Sequence, residues 1–301
     1  MIDFSNCEVN SFRMYGGGNG KKICIKYNNE NYMIKFPSSA MKLPDMSYTN
    51  SCISEYIGCK VFKELGFKVQ DVILGTFNNK IVVACKDFEK NGFSLKEFSF
   101  LKNTIISSSH NGYGTELVDI LSTIKEQKIV DTKILLKFFW RMFIVDALIG
   151  NFDRHNGNWG FLINEDLRIK QIAPIYDCGS CLYPKINEDL MKKVIADSEE
   201  LEKRIYIFPN SAIKLENQKI NYFSFLSTYN DRTMYLELKN ILKCINIDKI
   251  NKIIDDIPCI TNLHKNFLKL VISKRKEKIL EYSLIKNLEI NKNFYKNNRE
   301  I

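Results

Sequence analysis

No uninterrupted apolar run of membrane-spanning length occurs in this sequence. The longest candidate, around Phe138 to Ile149, is broken by Arg141 and Asp146, and a bilayer needs roughly 18 to 20 apolar residues. It reads as a core helix, and no membrane span is expected. The N-terminus, MIDFSNCEVN, carries no basic leader and no long apolar segment. This argues against a classical secretory signal and predicts a cytoplasmic protein, although a non-classical export route would leave no such mark. Paired cysteine motifs are scarce as well. Of nine cysteines, only Cys178 and Cys181 form a C-x-x-C, with no second pair and no histidine at ligand spacing. Zinc or disulfide chemistry is not expected there, and the thiols read as small hydrophobes in a reducing compartment. Helix-turn-helix, zinc-finger and RNP-type patterns are missing. The net charge is +9, but the lysines are spread through the whole chain, so no specific nucleic-acid partner is expected.

What is present is ample core material: 45% hydrophobic and 12% aromatic residues over 301 positions, enough for one large or two medium domains. From Phe4 to Ala84, short β-type runs (ICIKY, YMIKF, DVILGTF, KIVVAC) alternate with Gly and Asn-Asn punctuation. One helical segment interrupts them, about Tyr48 to Leu65, with Gly66 as a stop signal. Beyond DFEKNGFSLKEF the period becomes helical, over Leu117–Ile129, Lys133–Ile149, Glu188–Glu202, Met234–Cys244, Ile247–Ile254 and Asn262–Asn287. A β-type pair, WGFLI and IKQIAPIYD, is the exception. The fold class expected is α+β in two lobes: residues 1–90 form a sheet with one helix, and residues 91–301 are mainly helical.

Chemistry gathers in NFDRHNGNWG, residues Asn151 to Gly160, which follows the apolar helix directly. Asp153 and Asn158 stand in D-x-x-x-x-N, and after one β-hairpin comes YDCG with Asp177 and Gly179. Phosphoryl transfer requires hard oxygen ligands to fix Mg²⁺ and a separate carboxylate aimed at the nucleophile, and that spacing supplies both. A capped loop between helix and strand is the competing reading, since Asp and Asn are ordinary turn residues. Lys35, in the strand-like YMIKFP, stands where a phosphate-pairing lysine belongs, or else faces solvent. Glu55 shares a helical face with Cys52, Cys59 and Phe62, which suggests a partly buried carboxylate in need of a cation; an exposed glutamate is the alternative. In YGGGNGKK, the residues Gly16, Gly17, Gly18, Asn19 and Gly20 either let backbone N–H groups approach phosphates or form a plain hairpin turn. The order of these parts across a β-rich and then an α-rich region carries the argument more than any single motif.

With GNFDRHNGNWGF, IAPIYDCGSCLYP, YMIKFP and the SEY helix in place, the chain resembles the HipA-like serine/threonine kinases, and most of all their short, stand-alone bacterial members. The resemblance spans nearly the whole chain and implies a two-lobed, protein-kinase-like fold. It implies that Lys35 contacts the phosphates of ATP, that Asp153 is the catalytic aspartate, that His155 lies beside the nucleotide, and that Asn158 and Asp177 hold Mg²⁺. The adenine would meet the linker ACKDF near Cys85, Lys86 and Phe88. Protein substrates, autophosphorylation and a role as a bacterial effector able to enter host cells are implied too. Three departures stand out. The glycine loop begins near Tyr15, which leaves no room for the extra N-terminal region of the longer toxins, so an antitoxin partner is not expected. Where those toxins carry a phosphorylatable serine before the glycine loop, this chain has Met14 or Tyr15 in the neighbourhood, and no A-P-E follows Asp177. DRHNGN is also similar to the loop of phosphatidylinositol kinases, which keeps a lipid kinase as an alternative, and a pseudokinase binding module is another.

Overall fold

Short strands with buried centres along the first third of the chain build one curled sheet. Its strands are β1 (Ile2–Asp3), β2 (Glu8–Val9), β3 (Lys22–Tyr27), β4 (Glu30–Lys35), β5 (Val72–Phe77) and β6 (Lys80–Lys86), in the order β1-β5-β6-β4-β3-β2. Only β1 and β5 run parallel. The computed structural model describes residues 1–16, 22–37, 49–105, 111–166 and 169–288. Each of the β3–β4 and β5–β6 hairpins turns on two asparagines with positive φ, Asn28–Asn29 and Asn78–Asn79, as tight two-residue turns demand. Helix α1 (Ser51–Glu64) packs on β5 and β6. It starts three residues later than the periodicity suggests and ends at Leu65, just before Gly66 (φ +82°).

The remaining chain is mainly helical: α2 (Phe98–Ile105), α3 (Leu117–Glu126), α4 (Thr132–Ile149), α5 (Glu188–Ala196), α6 (Ser198–Glu202), α7 (Tyr222–Thr228), α8 (Arg232–Cys244), α9 (Ile247–Asp255) and α10 (Asn262–Arg275), the last continuing as π-helical turns over Lys276–Glu281. Two small sheets interrupt it. β7 (Ser94–Glu97) pairs with β8 (Gly160–Asn164), which pairs with β9 (Ile169–Ile172), and β10 (Asn210–Leu215) pairs with β11 (Gln218–Asn221). The single helix expected over Glu188–Glu202 is two. Asp197 ends the first and caps the second by accepting from the amides of Glu199 and Glu200, the capping bonds that acids and amides favour over helix interior. The helix expected over Asn262–Asn287 leaves α geometry at Arg275. α2, α7 and the β10–β11 hairpin were not anticipated.

The largest hydrophobic cluster runs from α1 through α4 to α10, with α4 at its centre. Trp140 and Phe143 of α4 lie against Phe225 of α7. Eleven residues of α4 are buried, so that helix is a fixed base for the loop that leaves its C-terminus. The two lobes also meet through backbone. Val69 bridges to Ile175, the Gln70 amide donates to the Ile175 carbonyl, and the Ile175 amide donates to the Lys68 carbonyl. This holds the chain two residues before Asp177 under the sheet lobe.

Candidate active site

The loop after α4 is held almost wholly by bonds to buried groups. Gly150 ends the helix in the left-handed conformation (φ +62°), which glycine adopts without penalty. Asn151 then donates to Asp146 Oδ1 at 2.8 Å and accepts from the Asp153 amide at 3.1 Å, while the Tyr222 hydroxyl donates to the Asn151 carbonyl. Asn158 closes the loop: its Nδ2 donates to the Asp153 carbonyl at 2.7 Å, which leaves Oδ1 as the end able to meet a cation. Beyond it, Trp159 is buried and stacks on Phe98 with ring centroids 4.0 Å apart.

Arg154, inside the D-x-x-x-x-N motif, is fully buried and joins three segments. Its guanidinium pairs with Asp146 of α4 (Nε to Oδ2, 3.1 Å), and Nη1 donates to the carbonyls of Asn158 (2.8 Å) and Tyr176 (2.6 Å). Its Nη2 also reaches Cys178 Sγ at 3.4 Å. The acid that seemed only to interrupt an apolar helix is therefore the counter-ion of this arginine. Both groups are 1% exposed, and neither charge would be tolerable there alone.

Lys35, at the end of β4, points its ammonium between two carboxylates, 3.0 Å from Glu55 Oε2 and 3.1 Å from Asp177 Oδ1. Glu55 is 1% exposed; its other oxygen accepts from the Cys178 amide at 3.1 Å. Gly179 packs closely here: a Cβ would sit 3.1 Å from Glu55 Oε2, so a larger residue would have to push that carboxylate by a few tenths of an ångström. Burial alone would lower the Lys35 pKa, but the charges of Asp177 and Glu55 raise it well above the ordinary lysine value. Asp177, with φ +54°, is pushed up by burial and pulled down further by the Lys35 ammonium, ending below the usual carboxylate value. Asp153 goes the other way. Burial raises it, Asp177 adds to the rise, and His155 opposes it.

Lys35, Asp153, His155, Asn158, Asp177, Gly16 and Phe88 all line one cavity of about 600 Å³ between the lobes. Asn158 and Asp177 fit a hard divalent cation: both offer oxygens to the cavity, and among the described residues no cluster of three or more His, Cys, Asp or Glu side chains forms a protein-only cage. Mg²⁺ is held in this manner, by few side chains plus phosphates and water. Gly17, Gly18, Asn19 and Gly20 lie outside the described residues. The linker wall begins later than the sequence suggested. Cys85 is fully buried within the β4–β6–β5 ladder. The Lys86 amide donates to the Asp71 carbonyl, its carbonyl accepts from Gln70 Nε2 (3.0 Å), and its ammonium pairs with Glu30 (3.0 Å). Neither lines the cavity, whereas Asp87, Phe88 and Glu89 do.

Sequence reasoning also missed three groups of cavity residues. Lys22 faces the cavity from the position paired with Lys35 across β3–β4. Glu97, at the other side, accepts from Ser99 Oγ (2.9 Å) and the Tyr113 hydroxyl (3.0 Å). At the linker, Arg13 binds Asp87 (2.7 Å) and Glu89 (3.1 Å), and the Tyr15 hydroxyl donates to Asp87 at 2.9 Å. Only the acid within an apolar helix, Asp146, left a signal that pattern reading might have used.

A curled sheet bearing a lysine–glutamate pair, set over a helical lobe that presents a polar loop and a D-x-G turn, has the architecture of a protein-kinase-like enzyme. The HipA-like C-terminal domain family matches residues 14–257, and the chain belongs to that family. Serine/threonine-protein kinase CtkA of Helicobacter pylori (strain J99) is 47% identical over 290 residues, covering 96% of this chain and 89% of the relative. The crystal structure of a Helicobacter pylori proinflammatory kinase CtkA superimposes with a TM-score of 0.91 at 46% identity, over 96% of this chain and 98% of that one. HipA of Shewanella oneidensis MR-1, solved with HipB and its operator DNA, shares the fold with a TM-score of 0.59 at 15% identity, over 91% of this chain and 67% of that one. The chain is thus a HipA-like kinase. Among the described residues no helix is long and apolar enough to cross a membrane.

Proposed function

We propose that this protein transfers the γ-phosphate of Mg²⁺-ATP to serine or threonine hydroxyls of protein substrates. The observation that carries this reading is the triangle of Lys35, Glu55 and Asp177 opening into the same cavity as Asp153 and Asn158. Glu55 fixes the direction of the Lys35 ammonium toward the phosphates. Asn158 and Asp177 would hold Mg²⁺, which when bound screens the charge of the triphosphate. Asp153 orients the attacking hydroxyl and receives its proton; it sits within the cleft, where neighbouring groups partly desolvate it, yet keeps a solvent-open side, as a group that must meet a protein substrate has to. His155, Phe88 and Gly16 flank the nucleotide, the adenine lying against the linker at Asp87–Glu89. Kinship to a serine/threonine-protein kinase at 47% identity supports protein as the acceptor class.

The test is transfer of labelled γ-phosphate from Mg²⁺-ATP, with products separated into protein, lipid and small-molecule fractions. Label on protein serine or threonine is expected, reduced by roughly 10²- to 10⁴-fold in Asp177→Asn. Label confined to lipid, or equal labelling by the variant, would overturn the reading.

A further inference from the structure

The β10–β11 hairpin stands beside the catalytic loop and is tied to it from both sides. On one side, Asn156 Nδ2 donates to the carbonyls of Gly112 (2.9 Å) and Gly114 (2.8 Å). The next residue, Thr115, donates through its hydroxyl to the Ala212 carbonyl (2.7 Å) and accepts from the Lys214 amide (2.8 Å). On the other side, β11 runs directly into Tyr222, whose hydroxyl holds the Asn151 carbonyl two residues before Asp153. The hairpin therefore has a fixed place next to the exposed carboxylate that faces the acceptor hydroxyl.

Across that hairpin Lys214 and Lys219 are direct partners. Side chains of paired residues in an antiparallel ladder share one face, so two ammonium groups lie side by side. Ile213 and Ile220 are buried, whereas Lys219 is exposed and Lys214 half-buried. Like charges directly opposite are unfavourable, and no described carboxylate within ion-pair distance relieves either one. Of the acids at the hairpin, Glu116, bridged to Lys214 through backbone, accepts instead from the Asn217 amide at 2.9 Å, and Glu216 lies exposed in the turn with no ion pair to either lysine among the described residues.

We infer that Lys214 and Lys219 form a docking surface for an acidic segment flanking the phosphoacceptor residue of the protein substrate. This rests on the kinase reading above and specifies its substrate class. Two uncompensated cations beside the acceptor site attract carboxylate side chains and orient the peptide that carries them. They also select against basic flanks.

The experiment compares two serine-centred peptide pools that differ only in their flanks, one with Asp and Glu, the other with Asn and Gln. The wild-type protein is expected to show a kcat/KM roughly three- to tenfold higher for the acidic pool, the range of one or two exposed ion pairs. That preference should fade as salt is raised past about 0.1 M, where screening becomes short-ranged. The double variant Lys214→Glu/Lys219→Glu should lose or invert the preference while keeping its rate on the neutral pool, a split that a merely structural role of the hairpin would not produce. Equal rates on both pools in the wild type, or an unchanged preference in the double variant, overturns the docking surface alone. No label on either pool, with label on lipid, overturns the kinase reading and the docking surface with it.

Discussion

Two aspartates of one cavity have been pushed apart in acidity, and at the scale of single residues this separates their work. Asp177 is held below the usual carboxylate value despite burial, because the Lys35 ammonium touches it; Asp153 is held above, by burial and by Asp177 itself. A group that must stay charged and one that must take up a proton are commonly distinguished in this way. A base with a raised pKa works while ionised and fails as pH falls through that raised value. The acid limb of kcat/KM for phosphate transfer is therefore expected above the ordinary aspartate range, and it belongs to Asp153 because the Lys35 ammonium holds Asp177 below that range. In Asp153→Asn that limb should vanish, along with roughly 10²- to 10⁴-fold of the rate. An acid limb of the same midpoint in the variant would assign it elsewhere.

At the scale of elements, α1 must lie close to the D-C-G turn for Glu55 to reach both Lys35 and the Cys178 amide. Gly58 makes that approach feasible: a Cβ there would lie 2.7 Å from Cys178 Cβ and 3.0 Å from Cys181 Sγ. In an open helix interior, Gly→Ala stabilises by about 1 kcal/mol. Here Gly58→Ala is expected to destabilise by about 1–3 kcal/mol through overpacking, and to slow phosphate transfer as Glu55 shifts. Denaturant titration decides it, and equal or greater stability in the variant would disprove the close packing. Much at this scale was legible in the sequence, because burial on one face leaves a period: α3, α4, α8 and α9 were placed to within a few residues by their apolar spacing. Lys35 and Glu55 were legible as a strand lysine and a helix acid set among apolar neighbours. The β10–β11 hairpin was not, since NSAIKL and QKIN mix apolar and polar residues without a clean alternation. Nor was the role of Arg154, whose partners on α4 and at Tyr176 and Cys178 adjoin it only through tertiary contact.

At the scale of the whole molecule, Lys35 belongs to the sheet lobe and Asp177 to the helical lobe, so their ion pair is a bond between lobes, running beside the backbone bridge from Val69 to Ile175. One carboxylate oxygen cannot serve an ammonium and a metal ion equally well, and one ammonium cannot serve a carboxylate and a phosphate equally well. Nucleotide phosphates that draw Lys35 away leave Asp177 freer for a cation, and a cation at Asp177 leaves Lys35 freer for phosphate. The two ligands are thus thermodynamic allies, each raising the affinity for the other by an equal factor. Isothermal titrations of Mg²⁺ with and without ATP, and of ATP with and without Mg²⁺, should return that common factor after correction for the Mg²⁺–ATP complex formed in solution. With Lys35→Met the share of it that arises from this exchange of partners should disappear. At the nucleotide site, then, Lys35 and Asp177 do not wait as naked charges for their ligands; they trade one partner for another, and the trade is made at the seam between the protein's halves.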